Sequence, residues 1–360
     1  LHDGRPACRA EADVHRLAGL SCIDCHLHTD LMGDDREWEH SESQVEITCE
    51  ACHGPRREGS EGTETTWSEV RDPISRDLLR QRGETRPADE RVRLGRRGTP
   101  LWNLRPSGSG WVTLRKGQGV ALATRQTPTD PNHVLRGHER LTCSACHAAW
   151  APTCSTCHTS FDPDGKQWDF AKAAETAGRW VETSHGYAAR PPALAVRPDG
   201  RIAPAIPGMV MELDATAAGG PRASRRFYAS LDPHSTGKKA RDCASCHLSS
   251  WALGLGTGTL ALSGPAPDFM PATPAPEDIR MASDAWTRLD ATAPGVGTRV
   301  GLRSLNATEL RRALVVGACL PCHKEVRDPV WRDFEESVTR LTRGGTPCTF
   351  RPPGWIPASG

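Results

Sequence analysis

Apolar and polar positions along this 360-residue chain alternate in short runs, and no apolar run approaches the ~18 residues that a membrane-spanning helix needs. From 101 to 126, "LWNLRPSGSGWVTLRKGQGVALATRQ" alternates around glycine-rich turns, which predicts a small β-meander. In "ALAVRPDGRIAPAIPGMVMEL", Pro198-Asp199-Gly200 predicts a turn between two short extended arms. Helical spacing is rarer. Asp328-Pro329 supplies an N-cap and first-turn proline for the apolar stripe Val330, Phe334, Val338 and Leu341, closed by Gly344-Gly345. Asn306 followed by Glu309 reads as a capping box opening a helix that leads into Cys319, a role preferred to sugar attachment at Asn306-Ala307-Thr308. Asp72-Pro73 opens a further short helix that stops near Gly83.

Composition agrees with this sparse pattern. The 34 glycines and 29 prolines, with only 5% aromatic residues, predict a loop-rich chain with few long helices or strands. Such a chain needs apolar interior from somewhere else.

The 14 cysteines show where. Twelve fall in six Cys-x-x-Cys-His runs: Cys22, Cys25 and His26; Cys49, Cys52 and His53; Cys143, Cys146 and His147; Cys154, Cys157 and His158; Cys243, Cys246 and His247; and Cys319, Cys322 and His323. Shuffling the composition would give on the order of 0.02 copies. The run is the attachment signature of a c-type haem, in which two thiols capture the porphyrin and the histidine reaches the iron. Zinc knuckles built from paired Cys-x-x-Cys would leave the histidine after every second cysteine unexplained. Six porphyrins would also furnish the missing apolar interior.

The sixth iron position separates a carrier from an enzyme, since a side chain there limits the haem to electron transfer. Eight histidines lie outside the motifs. His15, His28, His40, His133, His138 and His234 are the candidate distal ligands, with His2 and His185 as further ones. His28 is two residues from His26, within about 7 Å of chain, and so belongs to a neighbouring haem if it ligates. Methionine is the competing ligand, from Met32, Met209, Met211, Met270 or Met281, but histidine is in surplus. Only six residues separate His147 from Cys154, which predicts that the third and fourth haems lie near contact, with Trp150 against a ring edge and Pro152 stiffening the turn.

Charge and processing complete the picture. The formal charge is +1, and the propionates of six haems would make the loaded protein acidic, which disfavours nucleic acid as a partner. Of the 45 basic residues 39 are arginine, suited to gripping propionates with two parallel hydrogen bonds, although GC-rich coding explains much of that excess. The chain begins at Leu1 and carries two further cysteines, Cys8 and Cys348, which predicts a processed, exported protein in which these two form a disulfide.

These six sites, the His-x-His after the first and the upstream histidine in "DPHSTG" resemble multihaem c-type cytochromes of bacterial respiration and extracellular electron transfer, including hexahaem cytochromes that polymerise into conductive filaments. The resemblance implies a loop-rich multihaem fold, few short α-helices and small β-hairpins wrapped around a continuous haem stack. It implies six haem c groups, mostly bis-histidine, in an extracellular or periplasmic carrier that is not membrane-spanning. Its partners would be redox proteins, extracellular acceptors or further copies joined end to end. The rival functions are a nitrite, hydroxylamine or sulfur-oxyanion reductase with one open haem, and the electron-transfer subunit of a larger membrane complex. Along the chain we expect an N-terminal dihaem segment at 1–60, an insert with the β-meander at 61–130 and the central pair at 131–160. A loop and β insert at 161–235 and a C-terminal dihaem segment at 236–360 follow, the whole forming one integrated unit.

Overall fold

The computed structural model describes residues 9–55, 63–127, 130–153, 156–185, 188–232, 234–275, 278–344 and 356. His2, Cys8, Cys154 and Cys348 lie outside the described residues, as do the side chains of Cys157 and His185. The chain divides into two compact units, Val14–Glu139 and a second made of Leu1–Asp13 with Arg140–Gly360.

The Val14–Glu139 unit opens with five short helices: α1 (Val14–Leu17), α2 (Cys22–Cys25), α3 (His28–Met32), α4 (Ser41–Gln44) and α5 (Cys49–His53). Each is about one turn, too short to persist on propensity alone, so caps and outside partners hold it. Asp24 Oδ2 accepts the Ser21 N–H at 2.8 Å and its hydroxyl at 2.9 Å at the head of α2. Thr48 Oγ1 accepts the Ala51 N–H at 3.1 Å at the head of α5. Strand β1 (Thr63–Thr66), helix α6 (Pro73–Gln81), and strands β2 (Arg91–Leu94), β3 (Leu104–Ser107), β4 (Gly110–Leu114) and β5 (Ala121–Thr124) follow. The strands β3-β4-β5 form the meander that the alternation predicts, with Leu104 opposite Thr113 and Trp111 opposite Thr124. Helix α6 starts where Asp72 accepts the Ser75 N–H at 2.7 Å and ends before Gly83, which takes φ +66°. Buried Ala51, Leu101, Leu104 and Trp111 pack together with Ile47 and Cys52, so the turn of the second motif is part of this unit's core.

Charge is segregated along this unit. Residues 14–70 hold 13 acidic side chains against four arginines, while residues 71–125 hold 13 basic against five acidic. The fold pairs the two halves. Arg97 lies 3.6 Å from Asp30 and 3.5 Å from Glu46, Arg93 lies 3.2 Å from Glu64, and the Lys116 N–H reaches Asp24 Oδ1 at 2.6 Å. The β-rich insert is therefore the counter-charge of the segment that carries the first two Cys-x-x-Cys-His motifs.

The second unit is built on a sheet larger than the small hairpins expected. It contains α7 (Cys143–His147), the two-stranded pair of β6 (Ala151–Thr153) and β9 (Ala188–Arg190), and a five-stranded mixed sheet. That sheet holds β7 (Thr156–Asp169), β8 (Ala174–His185), β10 (Ala193–Val196), β11 (Ile202–Asp214) and β12 (Arg222–Ser230). Strand β11 pairs antiparallel with β10 and β12 and parallel with β7, which returns antiparallel as β8. The 198–200 turn joins β10 to β11, with Gly200 at φ +81°. Asp162, Pro163 and Gly165 give β7 the look of a loop in sequence; the sheet absorbs them as a register irregularity between Asp162 and Lys166. Gly178, at φ +79°, leaves room for the Phe161 ring, which a Cβ there would meet at 2.1 Å. Pro152, expected in a turn, lies in β6.

Helix α8 (Ala244–His247), hairpins β13 (Gly258–Ala261) with β14 (Asp268–Pro271) and β15 (Pro274–Ala275) with β16 (Asp278–Ala282), then α9 (Ala307–Cys319) and α10 (Phe334–Thr342), complete the unit. Its largest core gathers Leu253, Leu255, Leu310, Leu314, Val315 and Val338 between the last two helices and the sheet residue Val196. The helix expected from Asp328 is split. Pro329–Trp331 makes a separate 3₁₀ turn and α10 begins only at Phe334, because Asp333 acts as a second N-cap for the Glu336 N–H at 3.1 Å.

The capping box at the head of α9 is present as expected, with Asn306 Oδ1 accepting the Glu309 N–H and Glu309 Oε2 accepting the Asn306 N–H, both at 2.9 Å. Glu309 also meets Arg303 at 2.7 Å and Arg140 at 2.7 Å. Although burial raises its pKa, the Arg303 bond, the Asn306 N–H and Arg140 together hold the carboxyl at about 2. A depressed carboxylate stabilises the fold above its ordinary range and loses that contribution as pH falls toward its folded value. Glu309→Gln should therefore cost about 2 kcal/mol at pH 7, with the gap to wild type closing as urea unfolding is repeated from pH 5 down to pH 2.

Candidate haem attachment sites

Five of the six motifs are helical turns. They are α2 with His26 just beyond it, α5, α7, Cys243 running into α8, and the end of α9 continuing through Leu320. A helical turn puts residues i and i+3 side by side, so both thiols of a motif present to one side. The histidine N–H closes the turn on the first cysteine carbonyl, at 2.9 Å for His26 to Cys22, 2.9 Å for His247 to Cys243 and 3.0 Å for His323 to Cys319. The two closely spaced copies differ from each other in backbone. Cys143 and Cys146 stand on the helical turn α7, whereas Cys157 and His158 lie on the strand β7, opposite Ser184 and Thr183 of β8. His158 Nδ1 is 3.4 Å from Glu212 of β11.

Three of the motif histidines share a second feature. His53 Nδ1 lies 2.6 Å from the Arg125 carbonyl, His247 Nδ1 lies 2.8 Å from the Ala313 carbonyl, and His323 Nδ1 lies 2.9 Å from Asp328 Oδ2. His26 Nδ1 is 3.6 Å from Asp30. A carbonyl oxygen only accepts, so His53 and His247 carry their proton on Nδ1 and, when neutral, present the Nε2 lone pair. Burial pushes the pKa of both rings below the ordinary histidine range, which favours that neutral form. Locking one ring nitrogen on an acceptor while the other is offered is the usual arrangement of a metal-ligating imidazole.

The second site is the most completely built. The Thr127 N–H and hydroxyl donate to the His53 carbonyl at 2.7 and 3.1 Å, and Arg93 donates to the Cys52 carbonyl at 2.6 Å. Burial pushes the Cys52 thiol up to about 12, with Cys25 of the first turn and Cys49 adding to the rise. The His15 ring stands with its centroid 5.8 Å from that of His53, at 48° between planes. His15 precedes the first motif in the chain, yet the fold sets it beside the second.

The third site is flanked by the segment that carries His234. Cys143 and Cys146 are both half-buried there. The Ala149 N–H donates to the Ser235 carbonyl at 2.8 Å, the Gly237 N–H donates to the His147 carbonyl at 2.9 Å, and the Ser144 hydroxyl reaches Asp232 at 2.5 Å. The Arg241 N–H donates to the Cys146 carbonyl at 2.8 Å, so the chain entering the fifth motif also fastens the third. His234, exposed there, thus lies beside the third motif as well as upstream of the fifth. The closeness expected between the third motif and the Cys154 motif falls on residues outside those described. Trp150 donates its indole N–H to the Glu11 carbonyl at 2.7 Å, and its own carbonyl takes the Ser235 hydroxyl.

The fifth and sixth sites share α9. Burial pushes the thiols of Cys243 and Cys246 above the ordinary cysteine range. Ala313 holds the His247 ring, and Cys319 is the last residue of the same helix. Gly317 permits the close approach of α8, since a Cβ there would stand 2.6 Å from the His247 carbonyl. Cys319 is buried and Cys322 exposed. The Trp331 ring meets that of His323 edge-on at 6.2 Å.

Of the other candidate ligands, His28 is exposed at the head of α3, and His40 is buried with Nδ1 3.5 Å from Glu42. His133 and His138 are half-buried in the Val14–Glu139 unit, whereas the Cys143 and Cys146 motif they precede belongs to the other. Arg93, Arg125 and Ala313 were not singled out in the sequence, and Asp328 was read there only as a helix cap. Among the described residues no three His, Cys, Asp or Glu side chains gather as ligands of a bare metal ion, and no helix is long and apolar enough to cross a membrane. No family model, curated protein or solved structure matches the chain.

Proposed function

We propose that this chain is an electron carrier that holds six covalent c-type haems, exported to an extracellular or periplasmic site. The observation that carries this reading is the His15 and His53 pair beside the Cys49 and Cys52 turn. A haem held by that turn would take both imidazoles as iron ligands. The pair stands at 5.8 Å, with His53 already turned by its Nδ1 bond. The thiols of each motif would tether one porphyrin, and His26, His53, His147, His158, His247 and His323 would bind its iron. His15 would be the other protein ligand of the second haem. When bound, the haem supplies reversible one-electron chemistry. The protein's part is to hold the rings, fix their tautomers, bury their surroundings and place charge near them.

The test is to express the chain with a haem-attachment system, weigh it intact, and add carbon monoxide to the reduced protein. Six porphyrins' worth of added mass and no carbon monoxide adduct are expected. A chain that gains no covalent mass would defeat the reading, and an adduct at one haem would turn it toward the reductase. Electron microscopy of the same material separates a diffusing carrier from a filament subunit.

A further inference from the structure

Arg93 is a buried and heavily engaged charge of the Val14–Glu139 unit. It sits on β2 with its side chain 5% exposed. Its guanidinium donates to the carbonyls of Cys52 at 2.6 Å and Ala51 at 3.4 Å, to Gln126 Oε1 at 2.6 Å and to Glu64 Oε1 at 3.2 Å, and it lies over the Trp111 ring at 4.6 Å. Gly54, directly after His53 and at φ +80°, makes room for it, since a Cβ there would meet Arg93 Nη2 at 3.3 Å. The carbonyls it binds are those that a helix leaves unpaired at its C-terminal end, where positive charge is favoured.

Resting on the haem reading above, we infer that Arg93 is a positioning residue of the second site which fastens the attachment turn and raises the reduction potential of the haem held there. A guanidinium stays charged in proteins. Its carboxylate partner among the described residues, Glu64, is 35% exposed and neutralises it only in part, because solvent screens that side of the pair. A fixed positive charge beside an iron centre favours the reduced form, which carries one positive charge fewer. Glu64, bonded to Arg93 Nε at 3.2 Å, opposes that effect. The two residues therefore act on one potential with opposite sign.

The experiment is an optical redox titration of the full haem-loaded chain, wild type against Arg93→Met, Arg93→Lys and Glu64→Gln, with haems counted by intact mass in each. In Arg93→Met, one haem should show a tenfold lower ratio of reduced to oxidised form at its wild-type midpoint, a fall of about 59 mV for one electron. Glu64→Gln should move the same haem upward, and Arg93→Lys should fall less than Arg93→Met because it keeps the charge. If Arg93→Met and Glu64→Gln both titrate as wild type with six haems bound, the inference is overturned. Should Arg93→Met lose its haem or fail to fold, Glu64→Gln decides: a rise at one haem upholds the inference and an unchanged titration overturns it. A wild-type chain without covalent porphyrin overturns the underlying reading, and its mass shows this before any titration.

Discussion

His15→Ala should leave six porphyrins attached and give one of them a coordination position that binds carbon monoxide. The expectation follows from the geometry of the pair. His53 is held by its own turn, by the Arg125 carbonyl on Nδ1 and by Thr127 on its carbonyl, none of which involves His15. His15 sits on the four-residue α1, which has no buried residue, so its truncation removes a ring and little packing. Reduced wild type should be inert to carbon monoxide, while the variant should show an adduct equal to about one sixth of the haem absorbance. His15→Met should restore inertness and raise that haem's potential, since thioether ligation favours the reduced iron. A variant that stays inert, with six haems and a wild-type spectrum, would remove His15 from the ligand set.

Leu314→Ala should destabilise the Arg140–Gly360 unit by about 3 kcal/mol, read from urea unfolding, and should loosen two attachment sites at once. Leu314 is 2% exposed in the largest core cluster and faces Leu253, Leu255 and Leu310 around it. Truncation leaves a cavity that the flanking side chains close only partly. The neighbouring Ala313 carbonyl orients His247 and the helix ends in Cys319, so both the fifth and sixth motifs depend on how α9 is seated. In the second motif, which lies in the other compact unit, the His53 environment should be unchanged.

Signals that act within a few residues were legible in the sequence, and signals that act through topology were not. Asn306 and Glu309 announce α9, Asp72 and Pro73 announce α6, and Pro198-Asp199-Gly200 announces the turn into β11, because each specifies its own backbone. Strand β7 was hidden because Asp162, Pro163 and Gly165 are turn formers by themselves, and only pairing with β8 and β11 makes them extended. Asp333 was overlooked as a cap because Asp328 offers a stronger local signal with the proline behind it. At the candidate sites the thiols and motif histidines were plain, whereas their Nδ1 acceptors were not. Two of those acceptors are backbone carbonyls, of Arg125 and Ala313, which carry no side-chain identity to read. Chain order also leaves the neighbour of His15 unread, since it precedes the first motif while the fold sets its ring beside His53 of the second. Chain order likewise hides the partner of the Cys146 carbonyl, which is bonded from Arg241 far along the chain.

Helix α9 also works as a ruler. Ala313 and Cys319 are six residues apart on it, which sets them about 9 Å apart along its axis. An inserted residue between them would swing Cys319 by about 100° around that axis relative to the His247 acceptor, and three or four residues would be needed to bring it back to the same side. Length changes in this stretch are thus quantised in whole turns, while the loop between β13 and β14 can lengthen by single residues at small entropic cost. Insertions and deletions among descendants of this gene should accordingly crowd into that hairpin and spare the interval from 313 to 319.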